Sequence, residues 1–143
     1  ATDISTEALE VAARNVGRHG LEDRITLVQG DLYAGVAGPF DVILSNPPYV
    51  PERDLARLPA EYRHEPRVAF VSGQDGMELP ARILHHAPQY LAPDGWLAIE
   101  VGGGAGLLEE RFPRVPFTWP EFMHGGDGIA LVSAADLVAG LRS

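Results

Sequence analysis

The sequence contains no cysteine, which excludes disulfide staples and thiolate metal sites. It also lacks any apolar run long enough to cross a bilayer as a helix, and any secretory leader pattern. A cytoplasmic location with no membrane partner is therefore expected. Basic residues are scarce, 11 Lys and Arg against 20 Asp and Glu, giving a net charge of −9. Such a surface repels a phosphate backbone and attracts a basic protein, which makes nucleic acid a poor direct partner. No internal repeat is visible. The 143 residues, 45% hydrophobic and 22% charged, suffice for one ordinary globular core.

What the sequence does have is punctuation, with 16 Gly and 12 Pro dividing it into short periodic segments. Ser5 reads as an N-cap, Glu7 favours the positive helix terminus, and Leu9, Ala12, Ala13 and Val16 recur at helical spacing before a stop at His19-Gly20. Residues 25–28 alternate as a strand ahead of Gly30-Asp31. After a turn at Gly38-Pro39, the apolar run 40–44 is expected to be a central parallel strand buried on both faces. Residues 47–76 read as a long functional loop. A helix interrupted near Pro80 is predicted over 77–91, and Pro93-Asp94-Gly95 turns into a second buried strand at 96–101. Gly102 opens a short helix to Phe112, and strands at 117–122 and 129–132 are expected to form a hairpin before a final helix over 134–141. Trp96 and Trp119 are expected in the core. The order implies an α/β fold with a mostly parallel sheet ending in an antiparallel hairpin.

Asn46-Pro47-Pro48-Tyr49 follows the first buried strand directly, where ligands of open α/β sheets bind. Paired prolines fix φ and donate no hydrogen bond, leaving the Pro47 carbonyl rigid and able to accept one. Asn46 offers a second acceptor oxygen, and Tyr49 an aromatic face for a flat group. Two acceptors aimed at one point suit a planar –NH₂. An amide nitrogen is a poor nucleophile, so gripping its hydrogens aligns it with an activated methyl and favours the charge that develops. No metal is required. Asn46, Pro47 and Tyr49 are thus the candidate catalytic residues, and Asn46, Pro47, Pro48 and Tyr49 the candidate substrate contacts.

This tetrapeptide in this position resembles the signature of amino-methyltransferases with the class I S-adenosylmethionine-dependent, Rossmann-like fold. Val50-Pro51, Glu61-Tyr62-Arg63-His64-Glu65-Pro66, Ser72-Gly73-Gln74-Asp75-Gly76, Glu100-Val101-Gly102 and Gly125-Gly126-Asp127-Gly128 are similar to the protein-(glutamine) methyltransferase family. Glu61 to Pro66 and Val115-Pro116-Phe117-Thr118-Trp119 look most like the branch acting on ribosomal protein three of the large subunit, with the release-factor branch second. The resemblance implies S-adenosylmethionine as cofactor and a basic protein substrate. It also implies ribose contacts from Asp3, with Ile4 against the adenine, and adenine contacts from Asp31 and Leu32. Asn46 would touch cofactor and substrate together, while Arg63 and Glu65 would help to position the substrate. The family's first strand, glycine-rich loop and first helix precede the ribose acid. Residues 1–143 are therefore expected to be the C-terminal part of a single catalytic domain, truncated at the N-terminus and inactive in isolation.

Other readings stay open at this point. A DNA adenine-amino methyltransferase would share the tetrapeptide, although the negative charge opposes it. A non-catalytic protein-binding fragment is another. Gly102-Gly103-Gly104-Ala105-Gly106 imitates a dinucleotide fingerprint but lacks a convincing downstream acid, Glu121 being the nearest, and is read as a tight turn. His85-His86 is read as solvent-facing, since adjacent helical residues diverge.

Overall fold

The computed structural model describes residues 1–57, 69–123 and 125–142, which fall into two compact units, Ala1–Ala37 and Gly38–Ser143. In the first unit, strand β1 (Thr2–Asp3) and strand β2 (Val28–Gln29) pair in parallel around helix α1 (Thr6–Arg18). Ser5 starts the helix as its sequence suggests. Its Oγ accepts from the Ala8 N–H at 3.1 Å and donates to Glu7 Oε2 at 2.9 Å. Gly20, left-handed at φ 61°, follows the C-cap His19. The second strand is shorter and later than the alternation at 25–28 predicts. The Ile25 N–H is taken up by a local turn onto the Leu21 carbonyl, so pairing begins only at Val28.

The second unit is built on a three-stranded sheet of order β3-β4-β5. Strand β3 (Phe40–Ser45) runs parallel to β4 (Leu91–Glu100), and β5 (Ile129–Ser133) runs antiparallel to β4. Between the Phe40–Leu91 and Val42–Trp96 pairs the register shifts, so the predicted Pro93-Asp94-Gly95 turn survives as an irregularity inside β4. Buried Leu97 and Ile99 of β4 and Ala130 and Val132 of β5 form the core with Ile83, Leu84, Leu108 and Leu137 of the helices. These helices are α2 (Glu78–His86), α3 (Ala105–Arg111) and α4 (Ala134–Leu141).

The sheet is buried on one face only, contrary to expectation. Val42, Leu44 and Trp96 are 56%, 77% and 47% exposed. They share the face opposite the core because side chains alternate along a strand and Val42 pairs with Trp96. Trp96 is therefore not a core residue. Trp119 is half-buried, its indole N–H donating to Glu109 Oε1 at 2.8 Å.

Two element predictions also need correction. Helix α2 begins at Glu78 and is not interrupted at Pro80, which lies in its first turn where no helical N–H is needed. It ends at His86, before a 3₁₀ turn (Ala87–Gln89) containing Pro88, and Leu91 already belongs to β4. The hairpin partner expected at 117–122 is reduced to one antiparallel bridge, Thr118 with Leu131, closed by hydrogen bonds of 2.9 and 2.8 Å. Antiparallel pairing of β5 is instead made with β4. The last helix matches its predicted bounds, capped by Ser133 Oγ accepting from the Asp136 N–H at 3.1 Å.

Candidate active site

In the first unit, the parallel register sets Asp3 beside Gln29, so Asp31 and Leu32 follow at the same carboxyl edge. The Gly30 N–H donates to the Asp3 carbonyl at 3.0 Å and the Thr2 hydroxyl to the Leu32 carbonyl at 3.0 Å, joining the two strand ends. Leu32 is the one described non-glycine residue with positive φ, 54°. Such strain persists only where the surroundings impose it, and it clusters at ligand sites. Asp3, Ile4 and Asp31 are exposed, Ile4 by 57%, and are open to a ligand. Asp3 also serves the helix, since its Oδ1 accepts from the Ser5 N–H at 2.8 Å.

In the second unit, Asn46 directly follows β3 and is exposed, while Pro47 is buried and Pro48 and Tyr49 are half-buried. Among the described residues, neither the Asn46 side chain nor the Pro47 carbonyl has a hydrogen-bond partner. An open depression at this strand end is lined by Leu44, Ser45, Asn46, Ala98, Glu100 and Ile129. Two acceptors thus stand at the carboxyl edge of β3, on a lining otherwise mainly apolar.

The tetrapeptide is held by the segment that follows it. The Val50 N–H donates to the Phe70 carbonyl at 2.8 Å, and the Ser72 N–H to the Val50 carbonyl at 3.2 Å. The Ser72 side chain, 2% exposed, then accepts from the Leu79 N–H at 2.6 Å. Asp75 Oδ1 accepts from the Met77 N–H at 2.9 Å. Helix α2, whose own N-cap residue Met77 supplies no side-chain hydrogen bond, is in this way capped from the segment that braces Tyr49–Pro51.

Glycines let the Tyr49 ring approach the backbone. A Cβ on Gly102, at φ 51°, would stand 2.7 Å from Tyr49 Cε2. Gly128, at φ 83°, packs on the Gly102 carbonyl and accepts from the Val101 N–H at 2.8 Å. Gly102–Gly104 form a 3₁₀ turn leading into α3, so these glycines serve Tyr49 and the turn.

Sequence reasoning passed over Glu100, the last residue of β4, as a site residue. Tyr49 Oη donates to Glu100 Oε1 at 3.4 Å. The signal was available, because an acid ending a buried strand obeys the same rule that marks Asn46. Arg63 and Glu65, predicted to position the substrate, lie outside the described residues, as do Tyr62 and His64. His85 and His86 are exposed, and His85 packs edge-on against Phe112 with ring centroids 5.3 Å apart. Among the described residues, no group of three or more His, Asp or Glu could hold a metal ion.

A family model for the methyltransferase small domain matches residues 1–59. The chain is 48% identical over 138 residues to the ribosomal protein uL3 glutamine methyltransferase of Bradyrhizobium diazoefficiens, covering 96% of this chain and 43% of that protein. It is 44% identical over 140 residues to the protein of the same description from Neisseria gonorrhoeae, covering 98% and 46%. The chain therefore spans about half the length of these curated relatives. Among solved structures, a methyltransferase from Pyrococcus furiosus is similar with a TM-score of 0.64 at 26% identity, over 93% of this chain and 60% of that one.

Proposed function

The chain belongs to the protein-(glutamine) methyltransferase family and has the class I methyltransferase fold; from this we propose that the whole protein methylates a glutamine side-chain amide of ribosomal protein uL3. The observation that carries this reading is the pair of unpartnered acceptors, Asn46 Oδ1 and the Pro47 carbonyl, at a strand end that opens into a depression. S-adenosylmethionine, the cofactor of this fold class, supplies an electrophilic sulfonium methyl when bound.

The chain's own residues account for the rest. Asn46 and Pro47 grip the two amide hydrogens, removing rotational freedom and favouring the positive charge that nitrogen gains. The prolines keep both acceptors fixed without spending a backbone donor. Tyr49 offers its ring as a platform for the planar amide. Asp3 Oδ2 is available to ribose hydroxyls while Oδ1 fixes the start of α1, and Ile4, Asp31 and Leu32 line the adenine side. Arg63 and Glu65 belong to the segment proposed to cover the substrate. The chain is taken as the C-terminal part of one catalytic domain, in keeping with its share of the relatives' length. We take the cytoplasm as the place of action; among the described residues no helix is long and apolar enough to cross a membrane.

The test uses the full-length protein with labelled cofactor and three acceptors: purified uL3, a peptide chain release factor, and adenine-containing DNA. Transfer to uL3 well above the other two is expected. Preferential transfer to the release factor would move the assignment to the sister branch, and labelling of DNA alone would overturn it.

A further inference from the structure

We infer that Glu100 is a positioning residue of this site, holding the Tyr49 ring in the orientation that seats the substrate amide. The inference rests on the reaction proposed above. Ser45 is in register with Ile99, which sets Glu100 beside Asn46 at the carboxyl edge of adjacent strands. Both line the same depression, and Glu100 is the single ionisable group among its six lining residues. A half-buried carboxylate beside Leu44, Ala98 and Ile129 is costly to desolvate unless a donor uses it. The donor is the Tyr49 hydroxyl, at 3.4 Å.

The ring has two further restraints. Its edge lies against Gly102, and the chain just beyond it is tied by the Val50 N–H to the Phe70 carbonyl at 2.8 Å. These fix where the ring starts and what one edge touches. The tilt of the far end is left to the hydroxyl contact, so Glu100 sets the plane on which an amide would lie. A charge-assisted hydrogen bond suits this role because it is directional and stronger than a neutral one.

The experiment compares Glu100→Ala, Glu100→Gln, Tyr49→Phe and the Glu100→Ala/Tyr49→Phe double variant in the full-length protein, with a glutamine peptide as acceptor. Glu100→Ala is expected to raise KM for the peptide about tenfold, the scale of one lost charged hydrogen bond. Cofactor affinity and Tm should remain those of the wild type. Glu100→Gln, whose amide oxygen still accepts, should recover most of the loss. Tyr49→Phe should reproduce the Ala effect, and the double variant should be no worse than either single one. A wild-type KM in Glu100→Ala, additive losses, or a parallel fall in Tm and cofactor affinity would overturn the role. Ring-labelled NMR of Tyr49 in the ligand-free protein gives a readout without turnover. Its ring signals should move in Glu100→Ala and stay in Glu100→Gln, and unmoved signals in both would refute the inference. Wild-type protein that methylates no glutamine peptide would count against the reaction instead, with the NMR comparison still deciding the role of Glu100.

Discussion

Asp3 and Asn46 each end a strand, yet they were legible in the sequence to different depths. Asn46 could be read because two prolines after an apolar run have few other uses, and the structure leaves its side chain unpartnered among the described residues. Asp3 could be read only in part, because the carboxylate proposed for ribose also bonds the Ser5 N–H at 2.8 Å. Asp3→Asn should therefore weaken cofactor affinity roughly tenfold or more, the scale of a lost hydrogen bond to a charged group. Titration calorimetry on the full-length protein measures this, and unchanged affinity would remove Asp3 from the site. Glu100 was missed because attention stopped at the residue types of one motif. Its neighbour Tyr49 lies 51 positions away in sequence, and only strand register brings the two together.

At the scale of elements, helices that carry their own caps were readable and those capped from afar were not. The Ser5 and Ser133 caps announced α1 and α4 correctly, because each acts within three residues. Helix α2 borrows its cap from Ser72, seven residues before Leu79, so its start could not be inferred from its own first turn. Ser72→Ala should cost about 1–3 kcal/mol, since it leaves the Leu79 N–H unpaired beside the core. Denaturant titration measures the loss, and a change confined to a few tenths would show that the cap is dispensable. The Trp96 misreading had a similar origin: an apolar strand does not declare which face will be covered.

Gly102→Ala tests another element, the turn between β4 and α3. It forces a side chain into a left-handed position and into the Tyr49 ring, a strain of about 1–3 kcal/mol. Activity should fall more than stability, because the ring moves before the core does. The first turn of α1 adds a pH dependence. The Glu7 carboxyl is held below its ordinary value by its own backbone N–H, then by the Ser5 hydroxyl. A depressed carboxyl contributes above its unfolded-state value and loses that contribution as pH falls through the lowered folded-state value. Amide exchange in the first turn of α1 should accelerate across that acidic window in the wild type, and should lose this pH dependence in Glu7→Gln.

For the whole molecule, the net charge of −9 bears on encounter. If the acceptor is a basic ribosomal protein, steering should raise the association rate at low salt and fade as the screening length shortens. The kcat/KM for uL3 should fall with added salt while kcat changes little. The same series with a short neutral glutamine peptide should be nearly flat.

The central claim is that Asn46 presents a protein glutamine amide for methylation. Its most direct test is mass spectrometry of uL3 after reaction with the full-length protein, with fragmentation that locates the methyl group, in the wild type and in Asn46→Ala. The account predicts one methyl on a glutamine side-chain nitrogen in the wild type, and a rate about a hundredfold or more lower in the variant, the scale of losing one preorganised group at the reacting centre. A methyl on any other residue type, or an Asn46→Ala protein that labels the same glutamine at the wild-type rate, would contradict it.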